Sequence, residues 1–201
     1  MDKVIVVGGG AAGIMAAISA AESGDSVLLI EKNEKLGKKV YITGKGRCNI
    51  TNDSDVENLL KNVRSNPKFL YSAFYTFDSY RMMDFLESEE LKIKTERGNR
   101  VFPESDKSSD VIRTLKKALE KRKVKILLNT KVNKIDIEDG ICKGVEVQSG
   151  SRSENYTADK VIVATGGCSY QSTGSTGDGY KFAKDADIKV TKRYPSLVPF
   201  N

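Results

Sequence analysis

A glycine cluster near the N-terminus constrains the fold of this 201-residue chain more than any other feature. It follows the β-branched run Lys3 to Val7 (KVIVV), which has no polar face and is typical of a strand buried in a parallel sheet. After the cluster, Ala11 to Ser23 predicts a helix that ends at Gly24, and Ser26 to Ile30 predicts a second buried strand. These elements make a βαβ unit, whose crossover we expect to be right-handed.

The glycines themselves have the spacing Gly8-x-Gly10-x-x-Gly13. Gly8 permits the tight turn out of the strand, Gly10 lets backbone amides approach a pyrophosphate, and Gly13 allows the helix to pack closely on the sheet. The helix N-terminus presents free N–H groups to the phosphates. Glu31 ends the second strand, where its carboxylate can accept both ribose hydroxyls of an adenosine and disfavours the 2′-phosphate of NADP. The pattern predicts an adenine-dinucleotide site, and a merely tight glycine turn is the alternative.

Composition excludes several kinds of chemistry. The chain has no histidine, which removes Ser-His-Asp and Cys-His hydrolase sites, histidine metal ligands and imidazole bases. Cys48, Cys142 and Cys168 are far apart, which argues against a disulfide framework or zinc site and predicts a reducing cytoplasm. The apolar N-terminal run superficially resembles a signal peptide or membrane span, but three glycines interrupt it. We therefore expect a cytoplasmic protein with no metal site and no membrane contact.

The order of the remaining elements discriminates between dinucleotides. The sequence predicts helices over 55–90 broken near 66–67, a strand pair over 91–102, an amphipathic helix over 105–122, a buried strand over 124–128, an antiparallel meander over 131–157, a buried parallel strand over 160–164 and a helix over 180–186. A plain NAD-dependent dehydrogenase would continue as alternating strands and helices, whereas this order is typical of large flavoproteins that bind FAD. The missing histidine is consistent with a flavin that carries the hydride chemistry itself. We predict an α/β fold, a Rossmann-like FAD/NAD(P)-binding domain with a parallel sheet, helices and an antiparallel meander.

Two segments allow more than one interpretation. The aromatic residues Phe69, Phe74 and Phe77 recur at helical spacing, and we interpret them as a packing face rather than a cofactor contact. The loop over 43–52 (TGKGRCNITN), with lysines upstream, offers glycines for close approach to a flat ring and cations for a diphosphate. A solvated basic loop is the alternative there. Its Cys48 is either a low-pKa redox thiol beside the flavin or a small residue chosen for fit.

Four motifs together resemble one family of bacterial flavoproteins. They are the glycine fingerprint, TGKGRCNITN, NRVFPESDKSSDVI over 99–112 and ATGGCSYQSTGSTGDGYKFA over 164–183. In this order they resemble the FAD-dependent aminoacetone oxidase or BaiN-like family over essentially the whole chain. The resemblance implies an oxidoreductase that transfers a hydride between FAD and a small organic substrate, with NAD(P)H as a candidate electron donor. It suggests either reduction of an enone in a steroid-like acid or oxidation of an amino-ketone.

The resemblance also implies which residues contact FAD, although it names no catalytic residue. The ADP half would meet Gly8, Gly10, Ala12, Gly13 and Glu31, with Lys32 beside the adenosine and Val132 at the adenine; the diphosphate and isoalloxazine side would meet Lys38, Gly44, Gly46, Arg47, Cys48 and Asn49; Thr165, Gly166 and Gly167 would turn past the cofactor, and Gly177 and Asp178 would lie near the flavin.

The family resemblance also carries expectations about domains and partners. We expect residues 1–190 to form an incomplete FAD-binding domain and residues 191–201 to begin an inserted β-rich domain. A non-catalytic dinucleotide-binding fragment or flavin-binding module is the alternative function. The net charge of +6 raises nucleic-acid binding, but the densest basic run, over 116–125, includes Glu120 on a helix surface. We therefore expect a small-molecule substrate and no nucleic-acid partner, and the sequence leaves the oligomeric state open.

Overall fold

A computed structural model describes residues 1–194. This part of the chain contains seven α-helices and ten strands, and the strands form three sheets. The helices are α1 (Ala11–Glu22), α2 (Lys38–Ile42), α3 (Val56–Lys61), α4 (Tyr71–Thr76), α5 (Ser79–Ser88), α6 (Ser108–Lys121) and α7 (Asp178–Asp185). The strands are β1 (Lys3–Val7), β2 (Ser26–Ile30), β3 (Thr51–Asn52), β4 (Ile93–Glu96), β5 (Arg100–Pro103), β6 (Lys125–Leu127), β7 (Lys131–Glu138), β8 (Ile141–Ser149), β9 (Arg152–Thr157) and β10 (Lys160–Val163). The predicted domain start near residue 191 stays a prediction, because residues 195–201 lie outside the described part.

The central sheet has the order β10-β1-β2-β6, and all three strand pairs are parallel. The predicted βαβ unit is β1, α1 and β2. The chain returns to the sheet at β6, after α6, and again at β10, after the meander. Since β10 and β2 flank β1 on opposite sides, the strand order reverses at β1, which is where open α/β sheets bind ligands.

One face of the central sheet is covered by helices. Val4 and Val6 of β1 share a buried cluster with Ile14 of α1 and Leu115 of α6. These side chains alternate along β1 with those of the opposite face, as the period of a strand requires. The apolar periodicity of α6 thus faces the sheet, and the predicted amphipathic helix is confirmed.

The other face of the sheet is covered by the meander and by α7. Val145 of the antiparallel sheet β7-β8-β9 belongs to a buried cluster that includes Ile5 and Val7 of β1, and Phe182 of α7 joins the same cluster. A smaller antiparallel sheet, β3-β5-β4, contains the predicted strand pair. The fold class inferred from the sequence is confirmed, with a helical layer on one face of the parallel sheet and an antiparallel layer on the other.

Full burial of the strands over 124–128 and 160–164 was a wrong prediction. These strands are the two edges of the central sheet, and Leu128, Ile162 and Val163 are 37%, 36% and 41% exposed. Each edge strand is paired on one side only, and the covering layers are centred on β1 and β2. Their apolar composition indicates membership of a parallel sheet but not a central position in it.

The prediction that the aromatic residues over 69–77 form a buried packing face is also wrong. Phe69 is 79% exposed and Phe77 is 43% exposed, while Phe74 is half-buried. The segment divides into α3, a 3-10 turn (Pro67–Leu70), α4 and α5. The first three pack on one another, whereas α5 contacts β3 and buries Leu86 in the core. In the described part of the chain, no element of the sheets covers these rings.

The contact between α1 and β1 leaves no room for a side chain at one position. A Cβ added at Gly13 would lie 1.8 Å from the carbonyl oxygen of Gly8, a backbone atom that cannot move aside. Gly8 itself has φ +109°, and a Cβ there would lie 2.5 Å from the carbonyl oxygen of Ala164. The helix, the turn and β10 therefore meet backbone to backbone.

We expect Gly13→Ala to lower the free energy of unfolding by about 3 kcal/mol or more, because α1 must move away from the turn. The matched control is Gly10→Ala, where φ is −81° and an added Cβ meets nothing within 4 Å. The control variant should lose less than about 1 kcal/mol of unfolding free energy. Urea unfolding of both variants measures the difference, and equal losses would contradict the close-packing argument.

Candidate dinucleotide site

A cleft of about 340 Å³ opens at the carboxyl ends of β1, β2 and β10. It is lined by residues 7–12, 30–33, 38–40, 43, 130–132, 164–166, 173–175, 178 and 182. These segments are far apart in sequence and meet here because parallel strands end at the same edge of a sheet. The cleft therefore occupies the position that the glycine fingerprint predicts for a dinucleotide.

The N-terminus of α1 forms one wall of this cleft. Gly10 caps the helix without a side-chain hydrogen bond, and Ala11 and Ala12 line the cleft. The first N–H groups of a helix have no partner within the helix, and they carry the positive end of its dipole. Because the space beside Gly10 is open, an anionic group can approach these amides, as a pyrophosphate requires.

Glu31 is fixed at the end of β2, with 7% of its surface exposed. Its Oε2 accepts a hydrogen bond from the Gly9 amide at 2.6 Å, and its Oε1 accepts from the Asn33 amide at 2.8 Å and from Asn33 Nδ2 at 2.7 Å. A carboxylate has about four acceptor positions, so about one is left on Oε2. Oε2 thus keeps an acceptor position for a ligand hydroxyl, and the contact of Glu31 with both ribose hydroxyls stays a prediction.

Lys32 and Asp178, both predicted to contact the cofactor, bind each other. Lys32 Nζ donates to Asp178 Oδ2 and to Thr176 Oγ1, each at 2.7 Å. We call these three residues the clasp, because they join the end of β2 to the start of α7 across the cleft. Nearby, Asn33 Nδ2 donates to the Thr173 carbonyl at 3.2 Å.

The charge of Asp178 depends on the clasp. Its partial burial opposes ionisation, but the hydrogen bond and charge of Lys32 outweigh this effect, with smaller contributions from Thr176 and Lys131. The pKa of Asp178 is therefore below its ordinary value of 3.8. The carboxylate and the ammonium group of Lys32 largely neutralise each other at neutral pH.

Further lysines line the cleft near the α1 N-terminus. Lys38 donates to Glu34 Oε2 at 3.2 Å, and Lys39 donates to Ser169 Oγ at 3.4 Å. Lys131, at the start of β7, also lines the cleft next to the predicted contact Val132. Sequence reasoning missed Lys131, because a single lysine before an alternating strand has no distinguishing pattern. The positive charge suits a ligand with a diphosphate.

The segment after β10 brings Thr165 and Gly166 into the cleft lining. Thr165 Oγ1 is buried and has no hydrogen-bond partner among residues 1–194. An unpaired buried hydroxyl costs stability, so this atom is a candidate contact for a ligand. Of the other predicted residues here, Gly177 caps α7 in the left-handed region, and neither it nor Gly167 belongs to the described lining of the cleft.

Lys38 lines the cleft, whereas the loop over 44–49 lies outside its described lining. Arg47 forms ion pairs with Glu96 and Asp106, and its guanidinium lies 4.0 Å from the ring centroid of Phe102. Within residues 1–194 the cleft lining includes Lys38 and Thr43 but not Gly44, Gly46, Arg47, Cys48 or Asn49. Contacts of these five residues with the flavin stay a prediction, and the carboxylates already neutralise Arg47.

Cys48 occupies a buried position at φ +62°. Burial raises the pKa of its thiol, which a hydrogen bond involving Thr43 only partly offsets. A raised pKa keeps the thiol protonated at neutral pH, whereas a redox-active cysteine needs a thiolate. The structure therefore favours the interpretation of Cys48 as a residue chosen for fit.

Fold and cleft together define the class: this is a Rossmann-type FAD-binding domain. Within that class, the chain belongs to the family of the HI0933-like protein Rossmann domain, which it matches over residues 2–193. The predicted family resemblance and fold class are thus confirmed.

Two curated relatives and one solved structure illustrate the similarity. The chain is 34% identical over 200 residues to the 3-dehydro-bile acid delta(4,6)-reductase of Clostridium scindens, covering 98% of this chain and 47% of the relative. It is 29% identical over 196 residues to the ribosomal RNA dihydrouridine synthase of Haemophilus influenzae, covering 98% and 48%. An open-conformation flavocytochrome c3 fumarate reductase has a similar fold, with a TM-score of 0.65 and 22% identity over 92% of this chain and 40% of that chain.

The relatives differ from this chain in length, and the helices of the chain can be checked for membrane spans. The chain spans about half the length of the curated relatives that it matches. One of these relatives is named for ribosomal RNA, and the expectation of no nucleic-acid partner stays a prediction. Among residues 1–194, none of the helices has both the length and the apolar character needed to span a bilayer.

We expect Asp178→Asn to destabilise the protein by about 1 kcal/mol at neutral pH, because it removes the ion pair of the clasp. The pKa of Asp178 is lower in the folded state than its ordinary value of 3.8. The ion pair therefore stabilises the fold fully at a pH above that ordinary value, and this stabilisation is lost as the pH falls through the folded pKa. Urea unfolding of wild type and variant from about pH 7 to about pH 3 should show the difference shrinking with acid. Asp185→Asn, at the exposed end of α7, is the control, and a pH-independent difference would contradict the assignment.

Proposed function

We propose that this protein functions as an FAD-dependent oxidoreductase, which transfers a hydride between flavin and an organic substrate. The observation that carries the proposal is the cleft, where a free helix N-terminus, a fixed carboxylate and an unpaired buried hydroxyl converge. The family to which the chain belongs supports the same conclusion. A non-catalytic flavin-binding module would need the same cleft, so only turnover separates the two functions.

The residues of the cleft fit FAD in four respects. The open space at Gly10 and the N–H groups of Ala11 and Ala12 suit the diphosphate. The remaining acceptor position of Glu31 suits a ribose hydroxyl. The unpaired Thr165 hydroxyl would gain a partner from the ligand. Val132 is placed in the lining, where its backbone would meet the adenine.

When bound, FAD supplies the two-electron redox chemistry that none of these side chains has. The chain's own residues would bind and orient it. Glu31 would hold the adenosine end, and the clasp would keep the segment before α7 against the cleft. The α1 N-terminus would balance the phosphate charge together with Lys38, whose partner in the structure is the exposed carboxylate of Glu34. Val7, Ile30 and Phe182 line the cleft with apolar surface, which reduces the access of water.

We further propose that the substrate contains a carbon–carbon double bond conjugated to a carbonyl group. The names of two relatives support this class: one is a delta(4,6)-reductase of a 3-dehydro-bile acid, and the other forms dihydrouridine. In the enone and in the uracil ring alike, the carbonyl withdraws electrons from the double bond and makes one carbon a hydride acceptor. This class is favoured over oxidation of an amino-ketone, and it leaves a steroid-like acid and an RNA base as candidate substrates.

The proposal also includes a donor and a location. NAD(P)H is the candidate electron donor. The sequence has one glycine fingerprint, which FAD would occupy, and Glu31 disfavours a 2′-phosphate at that site. NAD(P)H would therefore bind only transiently. A cytoplasmic location is supported by the three cysteines, all of which are free.

Thr165→Val tests whether the cleft fits FAD. Removing an unpaired buried hydroxyl should stabilise the ligand-free protein by about 1 kcal/mol and weaken FAD binding about tenfold. The matched control is Thr130→Val in the same cleft, where Oγ1 donates to the Leu128 carbonyl at 2.9 Å, so that variant should be destabilised. Thermal unfolding and quenching of flavin fluorescence measure the two effects. Unchanged FAD affinity in Thr165→Val would remove this support.

The reaction class is tested anaerobically in two experiments. The protein–FAD complex reduced with NAD(P)H is mixed with an enone, and the oxidised complex is mixed with an amino-ketone. Cyclohexenone, as a simple enone, should restore the visible absorption of oxidised flavin, whereas aminoacetone should not reduce the oxidised complex. The opposite pattern would favour the amino-ketone reaction. A complex that binds FAD and reacts with neither compound would support the flavin-binding module.

A further inference from the structure

The segment between α3 and α5 has an unusual surface. Phe69, Tyr71, Tyr75, Phe77 and Tyr80, which we call the aromatic face, are 79%, 46%, 61%, 43% and 44% exposed. Residues 61–78, all within the described part, include no buried side chain. A concentration of exposed rings on one short segment is typical of an interaction site and not of a solvated helix.

The aromatic face is ordered by its own contacts. The rings of Tyr71 and Tyr75 meet edge to face, with centroids 6.2 Å apart and an interplanar angle of 79°. Asp78 caps α5 by accepting from the Arg81 amide at 2.9 Å. These local contacts hold the rings at a surface, but they do not cover them.

Positive charge predominates within residues 61–81, whereas the flanking carboxylates Glu57, Asp84 and Glu87 lie on α3 and α5. Residues 61–81 contain the four cations Lys61, Arg64, Lys68 and Arg81, all exposed or half-exposed, and a single carboxylate, Asp78, which is committed to its helix cap. Among residues 1–194, none of the four cations forms an ion pair with a carboxylate. The exposed rings are therefore interleaved with unpaired positive charge.

The basic helix α6 provides a contrast. It has more lysines, but Lys116 pairs with Glu120 at 3.6 Å and Arg113 pairs with Asp110 at 2.7 Å. Its apolar side chains face the core. The segment with the densest positive charge in the sequence thus has no exposed rings and is partly neutralised.

We propose that the aromatic face and its four cations bind single-stranded RNA, with bases stacked on the rings and phosphates against the cations. Every base has a π face, so rings such as Tyr75 bind single strands with little sequence preference, while Lys and Arg follow the backbone. A second copy of this chain is a poor occupant, because it would bring the same four cations against themselves. The inference rests on the proposed function in one respect: an RNA base is one of its two candidate substrates.

The experiment measures binding of a fluorescent uridine-rich oligoribonucleotide of about 12 nucleotides by anisotropy, at several salt concentrations. We expect Phe69→Ala/Tyr75→Ala to weaken binding about tenfold or more and to leave the salt dependence unchanged. Lys61→Gln/Lys68→Gln should weaken binding and also reduce the slope of affinity against salt. The matched control, Lys116→Gln/Lys117→Gln on α6, removes the same charge and should change binding far less.

Because the substituted rings are exposed, these variants should keep the wild-type thermal unfolding curve, which is checked for each. Absence of RNA binding by the wild type, equal loss in the α6 control, or equal affinity for duplex RNA would overturn the inference. So would a wild-type dimer in sedimentation that Phe69→Ala/Tyr75→Ala dissociates, because the face would then be a protein interface. RNA binding is measured without FAD, so its failure beside intact enone reduction would leave the proposed function standing.

Discussion

The backbone contact between α1 and β1 is the constraint on which the rest of the structure depends. With no side chain at Gly13, the helix lies against the Gly8 carbonyl, and β10 packs against the same turn through Ala164. This places the positive end of α1 at the edge where β2 ends in Glu31 and β10 continues into Thr165. A wider spacing between helix and sheet would separate the three segments that converge on the cleft.

The opposite face of the sheet makes the other half of the cleft. The meander begins at Lys131 and Val132, and α7 contributes Phe182, so the layer that buries the sheet also lines the cleft. The clasp then ties α7 back to β2 by an ion pair between residues that are 146 positions apart. Packing and ligand binding thus use the same elements.

Most of the fold could be predicted because its signals are backbone requirements. The β-branched runs, the glycine spacing and the alternating meander correctly predicted strands, a turn and an antiparallel sheet, although the two edge strands are less buried than predicted. Side-chain partners could not be predicted in the same way. Arg47 reads as a phosphate contact in its glycine-rich loop, yet its carboxylate partners lie 49 and 59 positions away, on and beside the small sheet. The helical spacing of Phe69 and Phe77 identifies an apolar face, but it contains no information on whether another element covers that face.

The positive surplus of the chain shows why the density of charge in a sequence is a poor guide to binding. On α6 and in the clasp, carboxylates are paired with lysines and arginines, so those cations offer little to an anionic partner. Around the aromatic face there are four cations, which lack such partners in the described part of the chain and lie beside exposed rings. Salt also screens the field of an exposed charge beyond about one Debye length, roughly 8 Å at physiological salt. Recognition of an anion therefore depends on where a cation is left unpaired, and a count of lysines along the sequence cannot locate that position.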